Sequence, residues 1–521
     1  MKDLILSIDF GTQSVRAILF NPKGEMVAKE KESIEPYYSK KPGWAEQDVL
    51  YLWESLCNAT KRLKTKAGDR FNDIAGVSLT TQRSTIVTVD KNGNPLRPAI
   101  IWMDDRKIWE APKYKGLERL LHKLVRMDYV ADLAQANCEA NWIIKNQPEI
   151  WEKTYKYLFL SGYLTYKLTG EYRDSIASQI GYVPFDFKNF KWCEGNDFKN
   201  YIFPIERDKL PELVKPTDIL GEINEKASED TGIPKGLPLI SSGSDKSCET
   251  VGVGCLTPEY AALSFGTTAT VQTTTDKYTE IVMFNPPYPA VVPDHWNTEF
   301  QIYRGFWMIE WFKQEFGDKE IQKAINTGEV PEKLLNKLLN ESPAGSMGLI
   351  SQPYWTPGVK IPGPEGKGSI IGFSDVHKRA HIYRAIIEGL GYALKNGTQM
   401  TENRSKTEIK EVRVAGGGSQ SDAICQITSD IFDKPVRRGE LFEATALGNA
   451  MVGMVGMKIH NDFNSANKEM LRLSTGFEPQ RRNADLYKEI YYKVYKKMYR
   501  KLKPLFKKLK DIFEDYSEST I

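Results

Sequence analysis

Two short stretches of this chain have the composition of anion-binding loops. Leu4-Ile5-Leu6-Ser7-Ile8-Asp9-Phe10-Gly11-Thr12 returns half a chain later as Tyr260-Ala261-Ala262-Leu263-Ser264-Phe265-Gly266-Thr267. Each is an apolar run of strand length broken by Phe-Gly-Thr, a pattern that predicts a β-hairpin whose turn lets backbone N–H groups approach an anion. Glycine permits the close approach, and threonine adds a hydroxyl donor. Two such loops, one per half, imply a duplicated domain closing on a polyphosphate. Asp9 has no carboxylate counterpart in the second copy, which suits a single metal ion per polyphosphate.

The elements that must position these loops can be read from apolar runs and turn residues. A meander is expected over Leu4–Ile8, Val15–Phe20 and Met26–Lys31, with a helix over Ala45–Leu63 and a strand over Ile74–Leu79. Residues 107–205 read as a helix-rich, aromatic insert, and Leu237–Ser242 as a buried strand closing the first half. In the second half, helices are expected over Gly305–Phe316 and Ser374–Lys395, then a strand over Val412–Ala415 that breaks at Gly416-Gly417-Gly418, with a further helix from Ser421. The hinge is expected near Val251–Pro258, dividing the chain into residues 1–250 and 251–521.

Bulk properties narrow the class. A chain of 521 residues exceeds one core, and 41% apolar residues mark an ordinary globular protein. A net charge of +3 is too small for a nucleic-acid binder that works by phosphate neutralisation. Six cysteines without a CxxC pair read as reduced thiols, and no apolar run reaches transmembrane length, so a soluble cytoplasmic protein without a membrane partner is expected. The Lys-rich end, Lys496 to Lys510, reads as the solvated face of a terminal amphipathic helix.

Several signals are set aside. His377 and His381 stand four apart, but Lys378 occupies the place where a zinc-protease helix needs Glu, so they read as surface histidines. Gly363 to Gly368 lacks the spacing of a Walker A loop. Cys248 has no histidine partner in view and reads as a small core thiol.

Taken in order, the motifs resemble those of the FGGY carbohydrate kinases, in the actin-like ATPase superfamily. The resemblance rests on Asp9-Phe10-Gly11-Thr12-Gln13-Ser14-Val15-Arg16-Ala17, Pro42-Gly43-Trp44-Ala45-Glu46-Gln47-Asp48 and Trp102-Met103-Asp104-Asp105-Arg106. It continues through Gly243-Ser244-Asp245, Ser264-Phe265-Gly266-Thr267, Glu388-Gly389-Leu390, Gly416-Gly417-Gly418 and Glu443-Ala444-Thr445-Ala446-Leu447-Gly448. It implies an α/β fold of two actin-like (ribonuclease H-like) domains, mixed sheets flanked by helices, with ATP in the cleft between them. It also implies phosphate contacts from Gly11, Thr12, Gln13, Ser14, Arg16, Gly266 and Thr267, adenosine against Gly416 and Gly417 with Ser421 near, and Mg²⁺ at Asp9 and Asp245.

Asp245 is the implied general base, because phosphoryl transfer to a hydroxyl needs a carboxylate within hydrogen-bond reach. Sugar contacts are expected from Arg83, Ser84, Asp104, Asp245 and Lys246. Glycerol kinases have Gln-Arg-Glu-Thr where this chain has Gln82-Arg83-Ser84-Thr85, and Ala134 aligns with one of their substrate-contacting tyrosines. Both losses remove polar contacts, so a pentulose such as xylulose, or a similar polyol or ketose, is expected ahead of glycerol. Gly162 stands where relatives carry Asp. Two rivals remain: a non-catalytic sugar or nucleotide sensor on the same fold, and an actin- or chaperone-type ATPase. The expected partners are a small sugar or polyol and ATP; a homodimer is left open.

Overall fold

The computed structural model describes residues 2–108, 128–283, 285–358, 362–474 and 476–518. Leu4–Phe10 is buried along its whole length, as a central strand with both faces covered requires. It pairs antiparallel with Ser14–Phe20, which pairs antiparallel with Met26–Ser33. On its other edge it runs parallel to Ile74–Thr81, which runs parallel to Pro238–Ile240. Ile219–Glu222 adds an antiparallel sixth strand beyond Pro238–Ile240.

The second half repeats this order. Tyr260–Phe265 pairs antiparallel with Ala269–Thr275, which pairs antiparallel with Trp296–Ile302. Its other edge runs parallel to Glu411–Ala415, and that strand to Val436–Arg438. A hairpin with a third antiparallel strand, followed by two parallel strands on the far side, is thus built twice. The two loops read from sequence sit at the same place in each copy.

In each half a helix follows the last parallel strand: Asp245–Gly252 in the first and Ala444–Gly456 in the second. These two helices cross with their backbones touching. A Cβ at Gly252 would collide with the Ala444 carbonyl, and one at Gly448 with the Cys248 carbonyl. Asn449 fastens the second helix to the first sheet, its Nδ2 donating to Ser7 Oγ at 2.9 Å and the Ser78 carbonyl at 3.0 Å. Ile5, Ile18, Ile240, Val251, Leu447 and Met451 make one apolar core shared by both halves.

Some element boundaries moved, each for a local reason. The helix expected over Ala45–Leu63 runs Val49–Ala67, because Asp48 caps it by accepting from the N–H groups of Leu50 and Tyr51. The helix expected over Ser374–Lys395 runs Arg379–Ser405 and ends where Lys406 takes φ +59°. With that late start the two histidines do not share a helical face, and the surface reading fails for His381 alone. His381 is buried and its Nδ1 accepts the Lys378 N–H at 3.0 Å, whereas His377 precedes the helix.

The insert is helix-rich and aromatic as expected, though residues 109–127 of it lie outside the described residues. The terminal helix is present as Lys496–Glu518, with Leu505, Leu509, Ile512 and Phe513 exposed beside its lysines. At Gly162, a Cβ would lie 3.3 Å from Asp174 Oδ2, so the carboxylate filling that space comes from Asp174. All six cysteines are buried and unpaired, and burial pushes the Cys248 thiol up to about 12, which suits a core thiol. Among the described residues, no helix is long and apolar enough to cross a membrane.

Replacing Gly448 with Val should lower stability by about 3 kcal/mol, because the added atoms meet backbone that cannot turn aside. Urea unfolding checks this, with Gly417→Ala as the control, since a Cβ there meets nothing within 4 Å. A second prediction concerns Glu139, whose Oε2 is buried without a partner and whose carboxyl burial pushes up to about 8. The folded chain then holds this proton to a higher pH than the unfolded chain. Its contribution to stability is greatest below the ordinary Glu range and is lost as pH rises through about 8. Urea midpoints between pH 5 and 8.5 should therefore fall less steeply in Glu139→Gln than in the wild type.

Candidate active site

The antiparallel register sets Asp9 opposite Arg16, and Arg16 Nη1 donates to Asp9 Oδ2 at 3.0 Å. Arg16 also reaches Glu443, the residue before the Ala444–Gly456 helix, at 3.4 Å. Burial raises the Asp9 carboxyl to about 6; Arg16 opposes the rise, and the nearby Asp245 charge adds to it. In the loop itself, the Gly11 N–H donates to the Ser14 carbonyl at 3.0 Å. Thr12 Oγ1 donates to Gln82 Oε1 at 2.7 Å and accepts from Trp102 Nε1 at 3.0 Å, tying the loop to the segment that carries Arg83. Gln13 is exposed and Ser14 buried.

In the second copy Ser264 stands where Asp9 stands in the first. Its hydroxyl accepts from Lys246 Nζ at 2.6 Å, a bond that crosses from one half to the other. Lys246, expected at the sugar, is therefore engaged beneath the second loop. Gly266 and Thr267 are held by their carbonyls, which accept from Phe306 N–H at 3.0 Å and Gly305 N–H at 2.8 Å, and the Thr267 side chain is left exposed.

The three glycines after Glu411–Ala415 have different surroundings. Gly416 takes φ +83°, and a Cβ there would press on the Phe265 backbone. A Cβ on Gly418 would meet the Phe306 ring at 2.6 Å, whereas at Gly417 nothing stands within 4 Å. Gly417 thus offers a bare backbone wall of the kind a flat ligand needs. Ser421 is the N-cap of Asp422–Phe432, its Oγ accepting from the Ile424 N–H at 3.4 Å.

Asp245 is the first residue of its helix, and the cap is its neighbour Ser244, whose Oγ accepts from the Ser247 N–H. The Asp245 carboxylate is thus not spent on capping: it accepts its neighbour's N–H at 2.8 Å, and its side chain is 29% exposed. Arg83 Nε lies 4.0 Å from Asp245 Oδ1, and Arg83 Nη1 donates to both oxygens of Glu299 at 2.8 Å. Ser84 follows with φ +50°, a strained value for a residue with a side chain, and its Oγ donates to the Ile180 carbonyl at 2.8 Å. The guanidinium of Arg83 also lies over the half-buried Tyr288 ring.

Glu299 and Tyr288 were not read from the sequence. The available signal was Asn297, Glu299 and Gln301 recurring at every second position of a strand, a polar face where an apolar one is usual. Asp104 behaves differently from its expected role at the sugar. Its side chain is 3% exposed; Oδ2 accepts the Ala45 N–H at 2.6 Å and Arg106 Nη2 at 2.7 Å, and Oδ1 accepts Arg106 Nε at 2.7 Å. Arg106 in turn packs against both the Trp44 and Trp142 rings, 4.1 and 4.6 Å from their centroids. Asp104→Asn should accordingly cost about 3 kcal/mol in urea unfolding, because it leaves a buried guanidinium short of its partner. The KM for sugar of the folded fraction should change less than threefold.

No group of three or more acidic, His or Cys side chains suited to a metal is present among the described residues. The pair Asp9 and Asp245 fits Mg²⁺ all the same, since that ion uses one or two carboxylates and completes its shell with water and phosphate oxygens. Burial above all, with the nearby Asp245 charge, disfavours the charged form of Asp9, and a cation beside it would restore that form.

Comparison with known proteins agrees with this geometry. The N-terminal domain model of the FGGY family of carbohydrate kinases matches residues 4–252, and the C-terminal domain model matches residues 261–457. An uncharacterized sugar kinase, YgcE, of Escherichia coli is 30% identical over 93% of this chain and 91% of its own length. A xylulose kinase of Staphylococcus epidermidis is 27% identical over 97% and 98%, and a gluconokinase of Bacillus subtilis 27% over 87% and 88%. The ligand-bound crystal structure of a xylulose kinase from Lactobacillus acidophilus superposes with a TM-score of 0.83 at 20% identity, covering 97% of this chain and all of that one. With both domain models matched in order across two copies of one sheet, the chain belongs to the FGGY family of carbohydrate kinases.

Proposed function

We propose that this sugar kinase transfers the terminal phosphoryl group of ATP to a hydroxyl of a small sugar or polyol, a pentulose such as xylulose being favoured, with Asp245 as general base. The observation that carries the reading is that Asp245 and its neighbour Lys246 lie close to residues of both Phe-Gly-Thr hairpins. Asp245 is near enough to raise the Asp9 carboxyl, and its neighbour Lys246 bonds to Ser264 below the second loop. The sugar-binding half is taken as residues 1–250 and the nucleotide-binding half as residues 251–521.

In this reading Asp245 accepts the hydroxyl proton as the acceptor oxygen bonds to the terminal phosphorus. The bond from that phosphorus to the bridging oxygen breaks, and ADP leaves. Mg²⁺, held by Asp9 with Asp245, would supply charge neutralisation for the phosphates. Gly11 to Ser14 and Gly266–Thr267 hold phosphate oxygens by N–H and hydroxyl groups, Arg16 stands beside them, and Gly416 and Gly417 lie against the adenosine with Ser421 near. Arg83 and Ser84 face the acceptor, and closure of the two halves excludes water that would otherwise take the phosphoryl group. Ser84 in place of a carboxylate disfavours glycerol, whose hydroxyls would lose a partner.

Asp245→Asn keeps the shape of the site and removes the base. Turnover should fall at least 10²-fold, roughly the loss expected for a general base. A coupled ADP-release assay over glycerol, erythritol, pentuloses, hexuloses and aldonates measures it and identifies the acceptor. Near-normal turnover in folded Asp245→Asn would remove Asp245 from the mechanism.

A further inference from the structure

Arg83 is held from one side. Its Nη1 bonds to both oxygens of Glu299, while Nε and Nη2 are buried with no hydrogen-bond partner. In a guanidinium these two N–H groups point the same way and form a fork that fits two oxygens at once. Asp245 Oδ1 stands 4.0 Å from Nε, so the fork lies beside the group proposed as base.

Glu299 comes from the strand Trp296–Ile302 of the second sheet and is 6% exposed. Gln272 Nε2 donates to Glu299 Oε2, and Thr250 Oγ1 donates to Gln272 Oε1 at 2.6 Å. Thr250 lies on the helix that begins with Asp245, so the chain of bonds runs from Arg83 through the second half and back to the base helix. The other cation nearby, Lys246, has Glu249 at 3.4 Å.

Resting on the sugar kinase reading above, we propose that Glu299 is a positioning residue that sets the charge class of the acceptor. It cancels the Arg83 charge from behind and leaves the Nε/Nη2 fork for two uncharged oxygens of the acceptor. A neutral ketose or polyol satisfies the fork. An aldonate brings a carboxylate toward Asp245 and Glu299 with no uncompensated cation to receive it. The nucleotide-side half thereby takes part in choosing the sugar.

Isothermal titration of the full chain with D-xylulose and D-gluconate as probes tests this without requiring turnover. The wild type should bind gluconate at least tenfold more weakly than xylulose. Glu299→Gln should tighten gluconate at least tenfold relative to xylulose, while Glu299→Asp, which keeps the charge, should hold the wild-type preference. Arg83→Met supplies an independent arm: it should weaken xylulose at least tenfold and bring no gain for gluconate. An unchanged ratio in folded Glu299→Gln, an equal loss of both ligands, or a wild type that prefers gluconate would overturn the proposal. Discriminating xylulose binding with no ADP release from any acceptor would instead defeat the kinase reading and leave the charge selection standing.

Discussion

The contact on which the rest depends is the crossing of Asp245–Gly252 with Ala444–Gly456. At Gly252 and Gly448 the two helices meet backbone to backbone, closer than any residue with a side chain would allow. Each helix continues the last parallel strand of its own sheet, so the crossing fixes how the two sheets face one another. It also brings the start of the first helix, with Asp245, toward the loops that end the two central strands. A wider crossing would separate Asp245 from both loops together. Packing at this depth is close to all-or-none, because protein interiors have little spare volume.

Charge is arranged around that crossing in the same alternating way. Asp9 meets Arg16, Arg16 and Lys29 meet Glu443, Lys246 meets Ser264 and Glu249, and Arg83 meets Glu299. Four of these links join residues from different halves of the chain: Arg16 to Glu443, Lys29 to Glu443, Lys246 to Ser264, and Arg83 to Glu299. Their side chains are largely shielded from water, so the links matter for how the halves sit as well as for the local site.

The sequence made legible what depends on short spacing. The Phe-Gly-Thr loops, the strands entering them and the Gly243-Ser244-Asp245 turn could be placed because turn glycines and apolar runs act within a few residues. Helix starts were less legible: they are settled by which side chain reaches which N–H group, Asp48 accepting from Leu50 and Tyr51 in one helix and His381 accepting from Lys378 in another. Asp104 was read as a sugar contact because its motif suggested one, but its hydrogen bonds to Ala45 and Arg106 answer to tertiary packing. Glu299 was only half legible: the alternation of Asn297, Glu299 and Gln301 marks a polar strand face but not its partner. It touches Arg83 across more than two hundred residues of chain, and no local pattern announces such a pairing.

Ser264 in the place of Asp9 has one more consequence. The paired loops are alike in backbone but unlike in floor, one carrying a carboxyl and the other a hydroxyl already bound to an ammonium group. A linear anion lying between them therefore meets two inequivalent ends. The exchange of a single residue thus breaks an otherwise repeated frame, and the two loops are not interchangeable.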